Sequence, residues 1–253
     1  MKKAFIITSV IDINNDHALS YSQVRTYFDS SERLRQTTFT VATLDMLGGP
    51  GDTIFLIDAS ENADQFKDIF SYQRNLVYIS VKDEFPTIFN TVRTHPNKSH
   101  GESLLLSHFI KKYKTQLEEY DYFFKMSGRY FTDSSFDTAM FNEGNVDKIF
   151  FKHSLKFDWN DGWNYHMVDR RAAQGDNKLH QYSSVLYGWG RMNLDKMLDI
   201  FVTIAVFTNL PEGAIYDVET LLYFLTRVYK SDVIETDWMI YGWDGAAGIF
   251  LRY

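Results

Sequence analysis

The chain has 253 residues, of which 45% are hydrophobic, 17% aromatic and 23% charged, and 26 Lys+Arg against 33 Asp+Glu give a formal net charge of −7. A chain of this length can bury one full core without staples, and with no cysteine a disulfide scaffold, Cys-ligated zinc, an iron–sulfur cluster and a thiol nucleophile are excluded. The acidic balance argues against a general nucleic-acid binder, which draws its affinity from Lys and Arg on phosphates, and the apolar content excludes disorder.

Taken in chain order, Lys3–Val10 is a continuous apolar run ending in hydroxyls, the mark of a strand buried on both faces. It is far too short for a membrane span, and Asp12 and Asp16 follow it where a cleavage site would need small residues, so the expectation is a cytoplasmic protein without a transmembrane segment. Ser31–Leu47 reads as a helix, capped by Ser31 and stopped by Gly48-Gly49-Pro50-Gly51. Thr53–Asp58 is a second strand, Ala63–Phe70 a helix and Leu76–Val81 a third strand. A polar segment through Pro96 leads to a helix over Glu102–Leu117, whose apolar residues Leu105, Leu106, Phe109, Ile110 and Tyr113 recur at helical spacing. Tyr122–Met126 is a fourth strand. Strands alternating with helices point to βαβ units and a largely parallel sheet.

The second half is less regular. Lys148–Lys152 and Ser184–Tyr187 read as strands around a long aromatic-studded loop, His153 to Tyr182, and loops of that length inside a compact domain usually serve function. Asn193–Phe207 and Asp217–Tyr229 are helices, and a Gly/Trp-rich stretch follows. No repeat or linker divides the chain. The expectation is one α/β domain with two functional halves, a regular one over about residues 1–130 and a less regular one over about 131–253. All the tryptophans (Trp159, Trp163, Trp189, Trp238 and Trp243) lie in the second half, where each is either a core anchor or a stacking surface for a sugar ring. Trp159 and Trp163, set among Asp158, Asn160, Asp161 and Asn164, favour the ligand surface.

Several signatures are absent: G-x-G-x-x-G after the first strand, the G-x-x-x-x-G-K-[ST] loop, HExxH and G-x-S-x-G. The scattered histidines match no metal-site spacing, so no metal ligands are assigned. The most informative stretch is Lys125-Met126-Ser127-Gly128-Arg129-Tyr130, a buried strand ending in a polar turn. Ligands of open α/β sheets bind outside the carboxyl ends of the strands, which is where Ser127 and Arg129 stand. This K-x-S-G-R-Y pattern resembles small bacterial and viral glycosyltransferases of the GT-A class that build surface glycans. Many GT-A enzymes carry at this point a DxD that binds a divalent metal and the diphosphate of a nucleotide sugar.

That resemblance implies a nucleotide-sugar donor bound by a nucleotide-binding half, about residues 1–130, and a glycan acceptor bound by an acceptor-binding half, about 131–253. It places the nucleotide at Thr8-Ser9-Val10, a base- or ribose-holding carboxylate at Asp58, and a donor loop over Asn97–Glu102, after Arg33, Arg35 and Gln36 in the first helix. Because Ser127-Gly128-Arg129 cannot chelate as two carboxylates do, the expected transfer does not depend essentially on Mn or Mg, with Arg129 and Lys98 or Arg35 on the diphosphate. The other reading of Arg129 is an ion pair with Asp133. An inverting transfer also needs a carboxylate base. Glu219 is the first candidate and Asp217 the second, at an acidic helix start where ordinary capping is the competing explanation, with Asp158 and Asp161 in reserve. Asp158, Trp159, Asp161, Trp163, Trp189 and Trp243 are the candidate acceptor contacts. Retention of configuration stays open. The alternatives are a non-catalytic carbohydrate-binding or inactive transferase-like subunit and, lower, a sugar nucleotidyltransferase, which would want a Gly-rich basic loop where Ile11–Asp16 stands.

Overall fold

The computed structural model describes residues 1–13, 15–20, 22–136, 139–158, 178–211, 216–245 and 247–252; for 156–158 and 178–179 this covers the backbone alone. Strands β1 (Lys3–Ser9), β2 (Thr53–Asp58), β3 (Leu76–Ser80) and β4 (Tyr122–Ser127) are parallel neighbours in the order β3-β2-β1-β4. Beyond β4 the sheet continues through β9 (Leu186–Gly190), antiparallel to it, then β6 (Lys148–Lys152) and β10 (Asp232–Thr236). The result is an α/β fold on a mostly parallel seven-stranded sheet flanked by helices.

Alternation along the strands divides the core in two. Ala4, Ile6, Phe55, Ile57, Phe123, Phe151 and Trp189 point to one face. There they pack under α3 (Val81–Glu84), α4 (Pro86–Thr94), α5 (Lys98–Leu117), α6 (Leu194–Thr208) and α7 (Val218–Val228). Phe5, Ile7, Ile54, Leu56, Tyr122 and Phe124 point to the other, against α1 (Ser30–Leu47), α2 (Ala63–Phe70) and Trp238. Strands covered on both faces have no polar side to show, which explains their continuous apolar runs.

Four details differ from the expectation. Helix α1 is capped by Asp29, not Ser31: the Asp29 carboxylate accepts from the Glu32 N–H while the Glu32 side chain returns to the Asp29 N–H. The segment after β3 is helical, with Ser80 capping α3 and Pro86 opening α4. Helix α5 begins at Lys98 rather than Glu102, because Asn97 caps it by accepting from the Ser99 N–H at 2.8 Å. Gly101 does not break it; a Cβ there would stand 3.0 Å from the Val92 carbonyl, so the glycine lets α4 approach. Finally, β7 (Leu155–Asp158) and β8 (Lys178–Gln181) pair antiparallel inside the stretch read as a loop, and β9 begins at Leu186.

A small antiparallel sheet, β5 (Tyr130–Thr132), β11 (Ile240–Asp244) and β12 (Ile249–Arg252), leans on α1 beside the end of β4. Among the described residues no helix is long and apolar enough to cross a membrane.

Candidate functional site

The chain runs from β1 to β2 on one side and reaches β4 on the other, so the connections diverge above the carboxyl ends of β1 and β4. Such a switch point leaves a crevice where open α/β sheets bind ligands. Register brings the strand ends level: Thr8 lies opposite Ser127, and Ser9 opposite Asp58. The Gly128 N–H donates to the Thr8 carbonyl at 2.9 Å. Thr37 Oγ1 of α1 donates to the Gly128 carbonyl at 3.0 Å and lies 3.1 Å from Ser9 Oγ. A Cβ on Gly128 would sit 3.1 Å from Ser9 Oγ and 3.2 Å from Thr37 Oγ1, so glycine is what lets β1, α1 and the Ser-Gly-Arg turn close together.

Four basic side chains gather around this turn. Arg129 donates from Nε to the Trp243 carbonyl at 3.0 Å, and the Trp243 N–H returns to the Arg129 carbonyl. Gly245 makes room for it, since a Cβ there would lie 3.4 Å from the guanidinium carbon. Arg33 is 4% exposed; its Nε donates to the Val10 carbonyl at 2.5 Å and its Nη1 to Thr26 Oγ1 at 3.4 Å. Burial, then the charge of Arg129, lower its pKa to about 9. Arg25, also buried, donates to the His95 carbonyl, and Lys98 Nζ donates to the Arg25 carbonyl at 3.0 Å. Burial and then Arg129, Arg33 and Arg25 bring Lys98 down to about 7, against the opposing pull of Asp244. Among the described residues neither Arg33 nor Arg129 forms an ion pair; Asp133, the alternative partner of Arg129, is taken by Ser135 and Tyr241. Mutually repelling cations held this close are a place for a polyanion.

The fold also places the donor-side candidates Arg35 and Asp58. Arg35 is exposed on α1, two residues from Arg33 and hence on the opposite side of the helix; Arg33 is the arginine that faces the site. Asp58 is 0% exposed. Its carboxylate accepts from Tyr78 Oη at 2.6 Å, Ser60 Oγ at 2.8 Å and the Ile11 N–H at 3.3 Å, which fastens the β1 and β2 ends from below. Burial outweighs those bonds and raises its pKa to about 6.

The candidate bases stand on the other side of Ser127. Asp217 caps α7, accepting from the Thr220 N–H and from Gln181 Nε2, both at 2.7 Å. The start of α7 is docked on the start of α5: the Val218 N–H donates to Ser99 Oγ at 2.8 Å, and Asn97 Nδ2 donates to the Tyr216 carbonyl at 3.0 Å. Glu219 is thereby brought beside the Lys98 helix end. It is partly buried and accepts a short hydrogen bond from Ser184 Oγ. Burial, then the charge of Asp217, raises it to about 7, with Ser184 opposing and Glu102 adding to the rise. Between Glu219 and Ser127 lies Lys125, 0% exposed, whose ammonium donates to Ser127 Oγ at 3.0 Å and the Ser184 carbonyl at 2.8 Å and pairs with Glu102.

Of the acceptor-side residues, Trp189 is 0% exposed and stacked on Phe123 at 5.6 Å inside the core. Its place in an inner β-strand, with every odd residue facing the helical layer, accounts for that burial. Trp243 is partly exposed and packs edge-on against Phe39 and Phe250 next to Arg129. Trp159, Asp161 and Trp163 lie outside the described residues, as does the side chain of Asp158.

Sequence reasoning missed Arg25, Ser184 and the role of Lys125, and it named Glu102 only as the end of the donor loop. Only Lys125 carried a signal, as a lone charge inside a strand buried on both faces, which requires a buried partner. Among the described residues no group of three His, Asp or Glu side chains could hold a metal ion. No protein-family model matches the chain, and no curated protein matches it significantly.

Proposed function

We propose that this chain is a glycosyltransferase of GT-A type, moving a sugar from a nucleoside-diphosphate donor to a hydroxyl of a carbohydrate acceptor. The observation that carries the reading is the juxtaposition at one switch point of a cluster of cations that depress one another's pKa, Arg33, Lys98 and Arg129, with a carboxylate whose pKa lies near neutrality, Glu219. The K-x-S-G-R-Y resemblance supports the same assignment.

In this reading the diphosphate lies against Arg129 and Lys98, with Arg33 behind them. Glu219 accepts the proton of the acceptor hydroxyl as its oxygen bonds to the anomeric carbon. The bond from that carbon to the diphosphate oxygen breaks, and the electron pair leaves with the phosphate, where the guanidinium of Arg129 and the ammonium of Lys98 balance the new charge. A base with a pKa near the working pH both exists ionised and holds the proton it takes, which suits Glu219 better than Asp217, whose carboxylate is occupied in capping. Trp243 and the aromatic segment joining β7 to β8 serve the acceptor, and the reaction is inverting.

The test is a panel of nucleotide sugars assayed for hydrolysis and transfer, with and without chelator. One donor should be turned over in both conditions. Glu219→Gln should retain donor affinity and lose turnover by about 10²- to 10⁴-fold. If no nucleoside diphosphate binds by calorimetry, the reading is wrong; oligosaccharide binding that ignores nucleotide would instead make the chain a carbohydrate-binding subunit.

A further inference from the structure

Lys125 and Glu102 have no role in the transfer as written, yet they are the most deeply placed ion pair beside it. The lysine is 0% exposed, whereas the side chain of Glu102 is 22% exposed. A buried ion pair is poor value as a stabiliser, because desolvating the two ions offsets most of their attraction. Its position is therefore informative. The Lys125 ammonium pairs with Glu102 of α5 and donates to Ser127 Oγ at the end of β4 (3.0 Å) and to the Ser184 carbonyl before β9 (2.8 Å). Ser184 in turn donates its hydroxyl to Glu219. One ammonium thus ties the Ser-Gly-Arg turn to the residue that holds the candidate base.

We infer that Lys125 and Glu102 are positioning residues that orient Ser184 and set, by their opposed charges, the pH at which Glu219 gains its proton. Among the described residues, the groups around Glu219 include Asp217 ahead of α7, Glu102 from α5, Tyr187 from β9 and Lys125 from β4 acting through Ser184, with Lys98 at the docked start of α5. Glu102 and Asp217 favour the protonated form, while the ammonium favours the carboxylate. The Tyr187 ring lies under the Lys125 ammonium at 5.8 Å, and its hydroxyl has no hydrogen-bond partner among the described residues. Removing either member of the pair must therefore move Glu219 in opposite directions. Loosening of the fold would not do so: water admitted by either change would carry a buried carboxyl down towards its ordinary range in both cases.

The inference takes Glu219 as the base from the proposed function, but it can be measured without activity. Protein labelled with ¹³C at the glutamate carboxyl is titrated by NMR, with the Glu219 signal assigned through Glu219→Gln. Glu102→Gln should lower the Glu219 midpoint by about one pH unit, as expected for losing one like charge at this range. Lys125→Met should raise it. The double variant Lys125→Met/Glu102→Gln leaves no unpaired buried charge, so it stays measurable even where Lys125→Met alone does not fold, and it should return the midpoint to the wild-type value. Unchanged midpoints, shifts of one sign in every variant, or a double variant lower than Glu102→Gln alone would overturn the inference. If turnover is found, the acid limb of kcat/KM should follow the same order. Opposed NMR shifts without turnover against any donor would uphold the charge pair and remove the transferase reading; turnover with unmoved midpoints would do the reverse.

Discussion

Replacing Arg129 by Met removes the group on which both halves of the cationic cradle depend. In the wild type its Nε is committed to the Trp243 carbonyl, which aims the terminal nitrogens and leaves them for a ligand. Each charge-assisted hydrogen bond lost is worth about 1.5–3 kcal/mol, so affinity for a nucleoside diphosphate should fall about 10- to 150-fold. A second effect follows from charge. After burial, Arg129 is the largest influence holding Lys98 near 7. Lys98 is thus about half protonated at neutral pH, and an arriving anion should draw in a fraction of a proton, on the order of one half. Without Arg129 the lysine moves part of the way back towards its ordinary range, with burial still holding it down, so the proton uptake should shrink. Isothermal titration calorimetry at pH 7, in two buffers of different ionisation heat, reads affinity and uptake together. Arg35→Met, a loss of charge on the exposed side of α1, is the control and should change neither. Arg129→Met affinity within twofold of wild type, or wild-type binding without proton uptake, would refute the assignment of this cluster as the phosphate site.

Two further expectations concern candidate site residues that the fold buries completely. Asp58, raised from 3.8 to about 6, binds its proton more tightly folded than unfolded, so its contribution to stability is present below pH 4 and lost as pH rises to about 6. Relative to wild type, Asp58→Asn should therefore gain on the order of 3 kcal/mol across that window in urea unfolding, and a difference independent of pH would contradict it. Trp189→Ala should destabilise the fold by about 3–5 kcal/mol, as large core truncations do, while oligosaccharide affinity below the melting temperature stays unchanged. A selective loss of sugar binding in a protein of normal Tm would return Trp189 to the site.

The strands were legible because their signal is local. K-A-F-I-I-T-S, T-I-F-L-I-D and Y-F-F-K-M-S are apolar on both faces, and a run of that kind has few other fates than an inner parallel strand. The same rule located Ser127, Gly128 and Arg129, since a strand end is recognisable wherever the strand is. Helix boundaries were less legible. Asp29 rather than Ser31 caps α1, and Asn97 starts α5 ahead of Gly101, because capping depends on which side chain turns back to meet a free N–H.

By itself, then, the sequence determined an α/β chain with a largely parallel sheet, a polar turn after the fourth strand and an acidic start to the last long helix. Tertiary structure alone decided which charges meet. Arg33 rather than Arg35 faces the site because α1 lies on the sheet by one stripe, and Asp58 closes on Tyr78 because β2 and β3 are neighbours. Glu219 reaches Lys125 through Ser184 because β9 runs antiparallel beside β4 and the starts of α5 and α7 are docked together. Apolar burial follows from the composition of a short segment, whereas a pKa depends on neighbours brought from residues 102, 125, 184 and 217, and only the fold brings those together.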